Sequence, residues 1–327
     1  MSSSYGTLEP NVHFRPDDWA ERIERALRDG KKDLVVSALV SLNNAQRQAL
    51  RKPYATKYGK ELTEALDKKF SGDAEILIKA LMYTPLEYDL HQLKHAMKGL
   101  GTDENTLVEI ICSRTPDQLH WVREQWLKET GKSLESVVTS ETSGEFGKVL
   151  VSLVAGSRDH TRHVDADKAH DDAVRLYADG KAKLASKDGG LSNFHNILTT
   201  NNLYQLRQVF SEFERLSGAS IETAIEKEFS KELRASYLAI ARCTLNKQRY
   251  FAGQLHNSMK GLGTRENDLV RVLVTRSEVD LRLVADEYAK TYGKSLSDEV
   301  KSETSGVFQQ GLLAIVAGND GGQKQPF

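Results

Sequence analysis

Four copies of one sequence frame run along this chain of 327 residues. In each copy a glycine ends a stretch of helical pattern, and a large aliphatic residue follows three positions later. The marker glycines Gly59, Gly131, Gly218 and Gly293 are 72, 87 and 75 residues apart. A single repeat cannot bury its own apolar stripe, so the copies must pack against one another. The longer middle interval contains the polar stretch 157–167, which predicts a linker between two consecutive pairs of repeats.

Helical spacing dominates within each copy, and the second copy shows it well. One of its apolar stripes consists of Leu107, Ile110 and Ile111. The run Thr115–Gln118 has a capping residue, a first-turn proline and a glutamine that can close a capping box. Thr142 with Glu145 predicts a second helix start of this kind. Alternating strand patterns are scarce, so we predict an all-α fold with about five short helices per repeat.

The frame divides the chain into seven predicted segments. They are a short N-terminal head (1–13), repeat 1 (14–86), repeat 2 (87–156), a linker (157–168), repeat 3 (169–244), repeat 4 (245–319) and a C-terminal tail (320–327).

A hexapeptide, Met-Lys-Gly-Leu-Gly-Thr, occurs in repeat 2 at 97–102 and again in repeat 4 at 259–264. In both repeats a glutamate follows the second glycine of the hexapeptide by 40 residues. Glycine tolerates the backbone angles of a tight turn, and such a turn can point several carbonyl oxygens inward. A carboxylate adds two further oxygens, and Ca²⁺ prefers a shell of oxygen ligands. The duplication therefore predicts two calcium sites.

The predicted ligands are main-chain oxygens of the turn and one carboxylate per site: Met97, Gly99, Gly101 and Glu141 in repeat 2, and Met259, Gly261, Gly263 and Glu303 in repeat 4. About five protein oxygens leave one or two positions of the calcium shell open. A lipid phosphoryl oxygen can fill such a position. Calcium and an anionic membrane should then strengthen each other's binding.

The same frame predicts no such site in repeat 1 and an altered loop in repeat 3. Ten residues after the marker glycine, repeat 1 has Lys69 where the other copies have Glu141, Glu228 and Glu303. Repeat 3 keeps Glu228, but its loop is longer and lacks the Gly-x-Gly-Thr pattern. The sequence leaves open whether Glu228 still holds a weak calcium site.

Four residues of the two hexapeptides are predicted to contact the membrane. Leu100 and Leu262 are at the tips of the turns, where an apolar side chain suits shallow insertion below the headgroups. Lys98 and Lys260 beside them would favour anionic lipid.

The pattern Lys-Gly-Leu-Gly-Thr, followed after about forty residues by Glu-Thr-Ser-Gly, resembles the signature of the annexin family. The resemblance extends over roughly residues 14 to 319. It implies four five-helix repeats in a curved disc and reversible, calcium-dependent binding to acidic, phosphatidylserine-type membranes. Such a protein acts as a membrane scaffold or organiser and also self-associates on membranes in some cases.

The resemblance also implies roles for further residues. Thr102 with Glu104, and Thr264 with Glu266, match positions of secondary, weaker calcium sites. Leu184 falls at the membrane-inserting position of the repeat 3 loop. A set of charged residues matches a polar channel of the family, for which an ion-pair network is the favoured interpretation: Asp89, Glu109, Arg114 and Arg271.

Composition narrows the class of protein. The formal net charge is −1, so nucleic acid is not expected as the main partner. The two cysteines are in apolar helical stretches and predict buried thiols in a reducing compartment. The start of the sequence has no signal-peptide pattern, which favours a cytoplasmic protein that is peripheral at membranes when calcium is high. Export without a signal stays open.

Nothing in the sequence matches a catalytic motif, so we do not expect an enzyme. The competing interpretation is a calcium-independent interaction module that binds actin or acidic glycans through lysine pairs such as Lys31-Lys32 and Lys68-Lys69. The N-terminal head is a candidate for binding a protein partner, although serine-rich termini are usually disordered.

Overall fold

Short helices account for most of the computed structural model, which describes residues 5–99, 101–186, 191–261, 263–319 and 321. The described helices are α1 (Pro16–Arg28), α2 (Lys32–Val40), α3 (Asn44–Ala49), α4 (Arg51–Tyr58), α5 (Leu62–Asp67), α6 (Asp73–Met82), α7 (Pro85–Ala96), α8 (Glu104–Ser113), α9 (Pro116–Thr130), α10 (Leu134–Glu141), α11 (Gly144–Val154), α12 (Ala166–Leu176), α13 (Asn193–Thr200), α14 (Leu203–Ser217), α15 (Ile221–Glu228), α16 (Lys231–Leu245), α17 (Lys247–Met259), α18 (Glu266–Arg276), α19 (Leu281–Tyr292), α20 (Leu296–Glu303) and α21 (Gly306–Ala317). The predicted all-α class is confirmed. Each repeat has five helical stretches, the third of which is interrupted at Leu50 in repeat 1.

The marker glycines end the third helix of every repeat. Their φ angles are 64°, 71°, 70° and 69° in chain order, which is the left-handed conformation of a helix C-cap. The predicted start of α9 is confirmed, because Thr115 and Gln118 form a capping box. The predicted start at Thr142 is wrong: α11 begins at Gly144, and the Thr142 hydroxyl donates to the carbonyl of Val138 at the end of α10, at 2.6 Å.

One small departure from the helical pattern occurs in repeat 3. Two antiparallel strands, β1 (Tyr177–Ala178) and β2 (Lys181–Ala182), form a hairpin directly after α12. Asp179 and Gly180 make its turn with positive φ angles of 55° and 70°. The hairpin stands where repeats 2 and 4 have their glycine turn.

The chain divides into two compact units, which are not the predicted pairs of repeats 1 with 2 and 3 with 4. The first unit contains residues Met1–Tyr88 and Gln248–Phe327, and the second contains Asp89–Lys247. Repeat 1 therefore packs with repeat 4, and repeat 2 with repeat 3. This corrects the prediction of two consecutive pairs. The last residues of the predicted linker are helical. Asp165 caps α12, and its carboxylate accepts the backbone N–H of Lys168.

In the first unit, α2 packs against α21 and α6 packs against α18. Gly311 of α21 lies so close to its neighbours that a β-carbon there would be 2.5 Å from Leu77 and 2.8 Å from Val36. The described part of the head belongs to this unit: the backbone N–H groups of Thr7 and Leu8 both donate to the carbonyl of Ser277, at 2.6 and 3.0 Å. Residues 5–13 are thus tied to the repeats.

In the second unit, α8 packs against α16 and α12 packs against α14. Both cysteines, Cys112 on α8 and Cys243 on α16, are buried as predicted, and they do not form a disulfide. The buried Arg114 guanidinium makes a two-point ion pair with Asp89, at 2.6 and 2.7 Å. Arg271, which the resemblance assigns to the same charged set, lies in the first unit, where it is buried and pairs with Asp268 at 2.9 Å. These pairs agree with the ion-pair interpretation.

No helix among the described residues is both long enough and apolar enough to cross a bilayer.

Candidate metal centre

The turn of repeat 2 joins α7 to α8 and requires glycine at two positions. Gly99 and Gly101 have φ angles of 100° and 94°, a region that other residues rarely adopt. The backbone N–H of Asp103 donates to the carbonyl of Ala96 at 2.9 Å and closes the turn. Met97 anchors it, since only 9 % of this residue is exposed. Lys98, Gly99 and Gly101 are exposed to solvent.

Glu141 is the last residue of α10, and a threonine brings it to the turn. The Thr102 hydroxyl is 3.1 Å from the Glu141 carboxylate oxygen Oε2 and 3.2 Å from its carbonyl oxygen. The structure thus joins two residues that are 39 positions apart in the chain. A carboxylate at a helix C-terminus adds its charge to that of the unpaired carbonyl groups, which makes the position attractive to a cation.

Repeat 4 reproduces this arrangement between α17 and α18. Gly261 and Gly263 have φ angles of 113° and 89°, and the N–H of Arg265 donates to the carbonyl of Ser258 at 2.8 Å. The Thr264 hydroxyl is 3.2 Å from the carbonyl oxygen of Glu303, the last residue of α20. In repeat 4 the threonine contacts the backbone of the distant glutamate, whereas in repeat 2 it contacts both the backbone and the carboxylate. The two calcium ligand sets stay a prediction.

The two turns differ in the residue after the threonine. Asp103 caps α8, because its carboxylate accepts the backbone N–H of Thr106 at 3.2 Å. Its counterpart Arg265 makes no side-chain cap and instead pairs with Asp268 at 2.7 Å. The turn of repeat 4 therefore carries a positive side chain where the turn of repeat 2 carries a negative one.

The residues present fit calcium better than zinc. Within the described parts of the chain, no three His, Cys, Asp or Glu side chains gather in the way that a zinc site needs. What the two turns offer is one carboxylate each and main-chain oxygens, a set of hard ligands that suits Ca²⁺. Lys98 and Lys260 are exposed beside the turns, while Leu100 and Leu262 lie outside the described residues.

Repeat 1 has a shorter turn at the same place. The N–H of Lys31 donates to the carbonyl of Ala26 at 2.9 Å, which closes a loop two residues shorter than the Ala96–Asp103 loop of repeat 2. Lys69, at the position of the acid, is exposed. Neither the loop nor the side chain supplies the oxygen ligands that repeats 2 and 4 offer.

Repeat 3 uses its acid in another way. The Glu228 carboxylate oxygen Oε2 accepts the backbone N–H groups of Leu184 and Ala185, at 3.1 and 3.2 Å. The loop therefore presents donors to this acid, whereas a calcium ion needs acceptors. The side chain of Leu184 is completely buried, so the membrane-inserting role implied for it by the resemblance is wrong in this structure.

Sequence reasoning missed the contact between the threonines and the main acids. Thr102 and Thr264 were assigned to secondary calcium sites with Glu104 and Glu266, and those sites stay a prediction. The signal was present, since threonine closes the hexapeptide in both repeats. Only the structure shows that the hydroxyl reaches the glutamate 39 residues later.

Four repeats of short helices, two of them with equivalent glycine turns beside a distant glutamate, define an all-α repeat protein. The family model described as Annexin matches residues 19–81, 88–153, 185–240 and 250–315. Over 322 residues the chain is 37 % identical to annexin A4 of Canis lupus familiaris, an alignment that covers 98 % of this chain and all of that protein. The chain belongs to the annexin family, which is known for calcium-dependent phospholipid binding and is generally not enzymatic.

Solved structures agree with this assignment. A structure of annexin III has a TM-score of 0.88 and 38 % identity, and the match covers 96 % of this chain and 97 % of that one. A calcium-bound annexin (Sm)1 has a TM-score of 0.83 and 28 % identity, with 96 % and 93 % of the two chains covered.

Proposed function

We propose that this protein binds acidic phospholipid membranes reversibly when calcium rises, through one calcium site in repeat 2 and one in repeat 4. The ligands are the main-chain oxygens of Met97, Gly99 and Gly101 with Glu141, and of Met259, Gly261 and Gly263 with Glu303. The observation that carries the proposal is the contact of each turn threonine with its distant glutamate. The protein then acts as a membrane organiser without catalysis and is cytoplasmic and peripheral.

Each step of binding follows from the charges at the turns. The carboxylate and the carbonyl groups would hold a calcium ion, and its two positive charges would offset the charge of the glutamate. Lipid phosphate can then complete the calcium shell, while Lys98 and Lys260 add attraction to an anionic surface. Each compact unit carries one site, so two weak contacts act together and give avidity.

Repeats 1 and 3 do not contribute calcium sites in this proposal. Repeat 1 has Lys69 at the acid position, and in repeat 3 the Glu228 carboxylate is occupied by two backbone donors.

Sedimentation with phosphatidylserine vesicles across a calcium titration tests the proposal. We expect the wild-type protein to pellet in calcium and to be released by a chelator. Glu141→Gln and Glu303→Gln should each raise the calcium concentration at half-maximal binding about tenfold, the effect of losing roughly 1.4 kcal/mol. The double variant should lose more than either single variant, because avidity is lost with the second site.

Two further variants serve as controls. Glu124→Gln removes an exposed carboxylate of α9 and should leave the calcium midpoint unchanged. Glu228→Gln should also leave it unchanged if repeat 3 carries no site. Pelleting that persists in chelator and in the double variant would support the calcium-independent interaction module instead.

A further inference from the structure

The second compact unit contains a cavity of about 400 Å³ beside the chain segment that connects repeats 2 and 3. Its lining includes Arg114, Arg158, Arg162, Asn202 and Tyr204, and none of the turn residues of the candidate calcium site. A volume of this size is typical of sites for small organic molecules.

Arg158 is the unusual residue of this cavity. Only 8 % of it is exposed, and its Nη2 donates to the carbonyl of Leu198 at 2.9 Å. Its Nε atom has no hydrogen-bond partner within the described chain. Burial lowers the pKa of this guanidinium, and no carboxylate counteracts the effect. A buried cation without a counter-ion is costly, which points to a missing anion.

The acids that line the cavity do not supply that anion. The Asp159 carboxylate accepts hydrogen bonds from Thr161 at 2.7 and 2.8 Å and from Asn202 at 2.8 Å. These bonds lower the pKa of Asp159 to about 2, so the carboxylate stays ionised with Thr161 and Asn202 as its hydrogen-bond donors. Asp117 is 93 % exposed and its carboxylate is 3.6 Å from the ring of His160.

The other arginines of the lining are placed differently. Arg114 is neutralised by its two-point pair with Asp89. Arg162 is exposed, and its guanidinium lies 6.0 Å from the centre of the Tyr204 ring. The lining therefore has one buried guanidinium without an acidic partner, that of Arg158, and an exposed one, that of Arg162.

We propose that this cavity binds the phosphate group of a small, soluble phosphorylated molecule, with Arg158 as the buried anchor and Arg162 as the outer contact. Guanidinium groups bind phosphate oxygens by paired, charge-assisted hydrogen bonds, and Arg158 lines the cavity with an Nε–H that no group of the described chain accepts. The cavity exceeds the size of a single phosphate ion, which leaves space for the group that the phosphate is attached to. Calcium is not required, so this site is independent of the proposed membrane function.

Titration calorimetry of the full chain with inorganic pyrophosphate, in excess chelator and at constant ionic strength, tests this site. We expect saturable binding by the wild type, with one molecule per chain. Arg158→Met and Arg162→Gln should each weaken it at least about tenfold, because each removes a charge-assisted contact. Arg22→Gln, on the exposed face of α1 in the other unit, is the matched control and should bind like the wild type.

Three outcomes would overturn the proposal. They are no saturable binding by the wild type, the same affinity in both cavity variants as in the wild type, and an equal loss in the control. Arg162→Gln keeps the experiment decisive even if Arg158→Met folds poorly, because Arg162 is exposed.

A lipid headgroup is the other source of the same phosphate chemistry. Vesicles that contain phosphatidylinositol phosphates, tested in chelator, distinguish the two sources. We expect no pelleting; pelleting that Arg158→Met abolishes would overturn the assignment to a soluble molecule. Calcium-dependent binding of Arg158→Met to phosphatidylserine vesicles should match the wild type, which separates failure of this inference from failure of the proposed function.

Discussion

Two glycines in each candidate calcium turn hold backbone angles that almost any other residue would strain. Gly99, Gly101, Gly261 and Gly263 have φ angles between 89° and 113°, although a β-carbon at any of them would meet no atom within 4 Å. These positions therefore require glycine because of their backbone conformation and not because a side chain would clash with its neighbours. This is why residue types alone were enough to predict the turns.

Gly101→Ala should weaken calcium binding at repeat 2. The substitution forces the turn away from its conformation or leaves strain of about 1–2 kcal/mol, so the calcium midpoint of vesicle binding should rise about five- to thirtyfold. Gly59→Ala is the matched control, since Gly59 also has a positive φ and open space around it but belongs to repeat 1. It should cost stability and leave the calcium midpoint unchanged; equal shifts in both variants would contradict the assignment.

The buried His195 makes the stability of the chain depend on pH. Burial lowers the pKa of its imidazole, and the nearby charges are Glu145, which raises the pKa, and Lys148, which lowers it. The unfolded chain therefore binds this proton more readily than the folded one. The resulting stability is present above the unfolded pKa of about 6.5 and is lost as the pH falls through the folded value.

His195→Gln should flatten this part of the pH dependence. We expect the free energy of unfolding of the wild type to fall more steeply than that of the variant as the pH is lowered from 7.5 to 5. Urea unfolding at several pH values measures the two slopes. Parallel curves would show that the imidazole titrates alike in the folded and unfolded chains.

At the scale of helices, tertiary partners decide where some elements begin. The sequence predicts a capping pair of Thr142 and Glu145, but the Glu145 carboxylate accepts the hydroxyl of Tyr237 on α16 at 2.7 Å. The Glu145 side chain therefore bonds to another helix and does not cap the start of α11. The capping box of α9 formed as predicted: Thr115 is exposed, Gln118 is half-buried, and the two side chains bond to each other's backbone N–H groups.

Close packing of α21 gives a prediction at this scale. Gly311→Ala places a β-carbon against Leu77 of α6 and Val36 of α2, so overpacking should lower the free energy of unfolding by about 1–3 kcal/mol. Alanine is otherwise the better helix former by about 1 kcal/mol. Urea unfolding gives the difference.

Gly253→Ala is the control for that experiment. Gly253 is also inside a helix, α17, but a β-carbon there would meet only the Tyr292 hydroxyl at an ordinary 3.8 Å. It should be neutral or stabilising. A stable Gly311→Ala variant would mean that α21 can shift without cost.

Over the whole molecule, partners come together from distant parts of the chain. The first unit joins the beginning of the sequence to its end, and Asn319 is central to that closure. Its amide accepts the N–H of Glu9 at 2.9 Å and donates to the carbonyls of Glu9 at 2.7 Å and Ser41 at 2.9 Å. The head is therefore a structural element in its described part, residues 5–13, and binding of a protein partner there stays a prediction.

Asn319→Ala should release the head. The substitution removes the partner of the Glu9 N–H and carbonyl groups and one of the two donors to the Ser41 carbonyl, at a cost of about 1–3 kcal/mol. We expect a lower urea midpoint and faster protease cleavage within the first thirteen residues. Asn257→Ala, at an exposed position of α17, should change neither quantity. Unaltered cleavage in Asn319→Ala would show that other contacts are enough to hold the head.

The sequence by itself determined the repeat frame, the helical class, the caps at the marker glycines and the two turns with their acids. These features depend on backbone angles, spacing and local capping, which residue types specify directly. The tertiary structure alone decided which repeats pack together. It also decided that Glu228 accepts backbone N–H groups, that Leu184 is buried, and that Arg158 is buried without an acidic partner. Each of those outcomes depends on burial and on partners far away in the chain, and no local pattern encodes them.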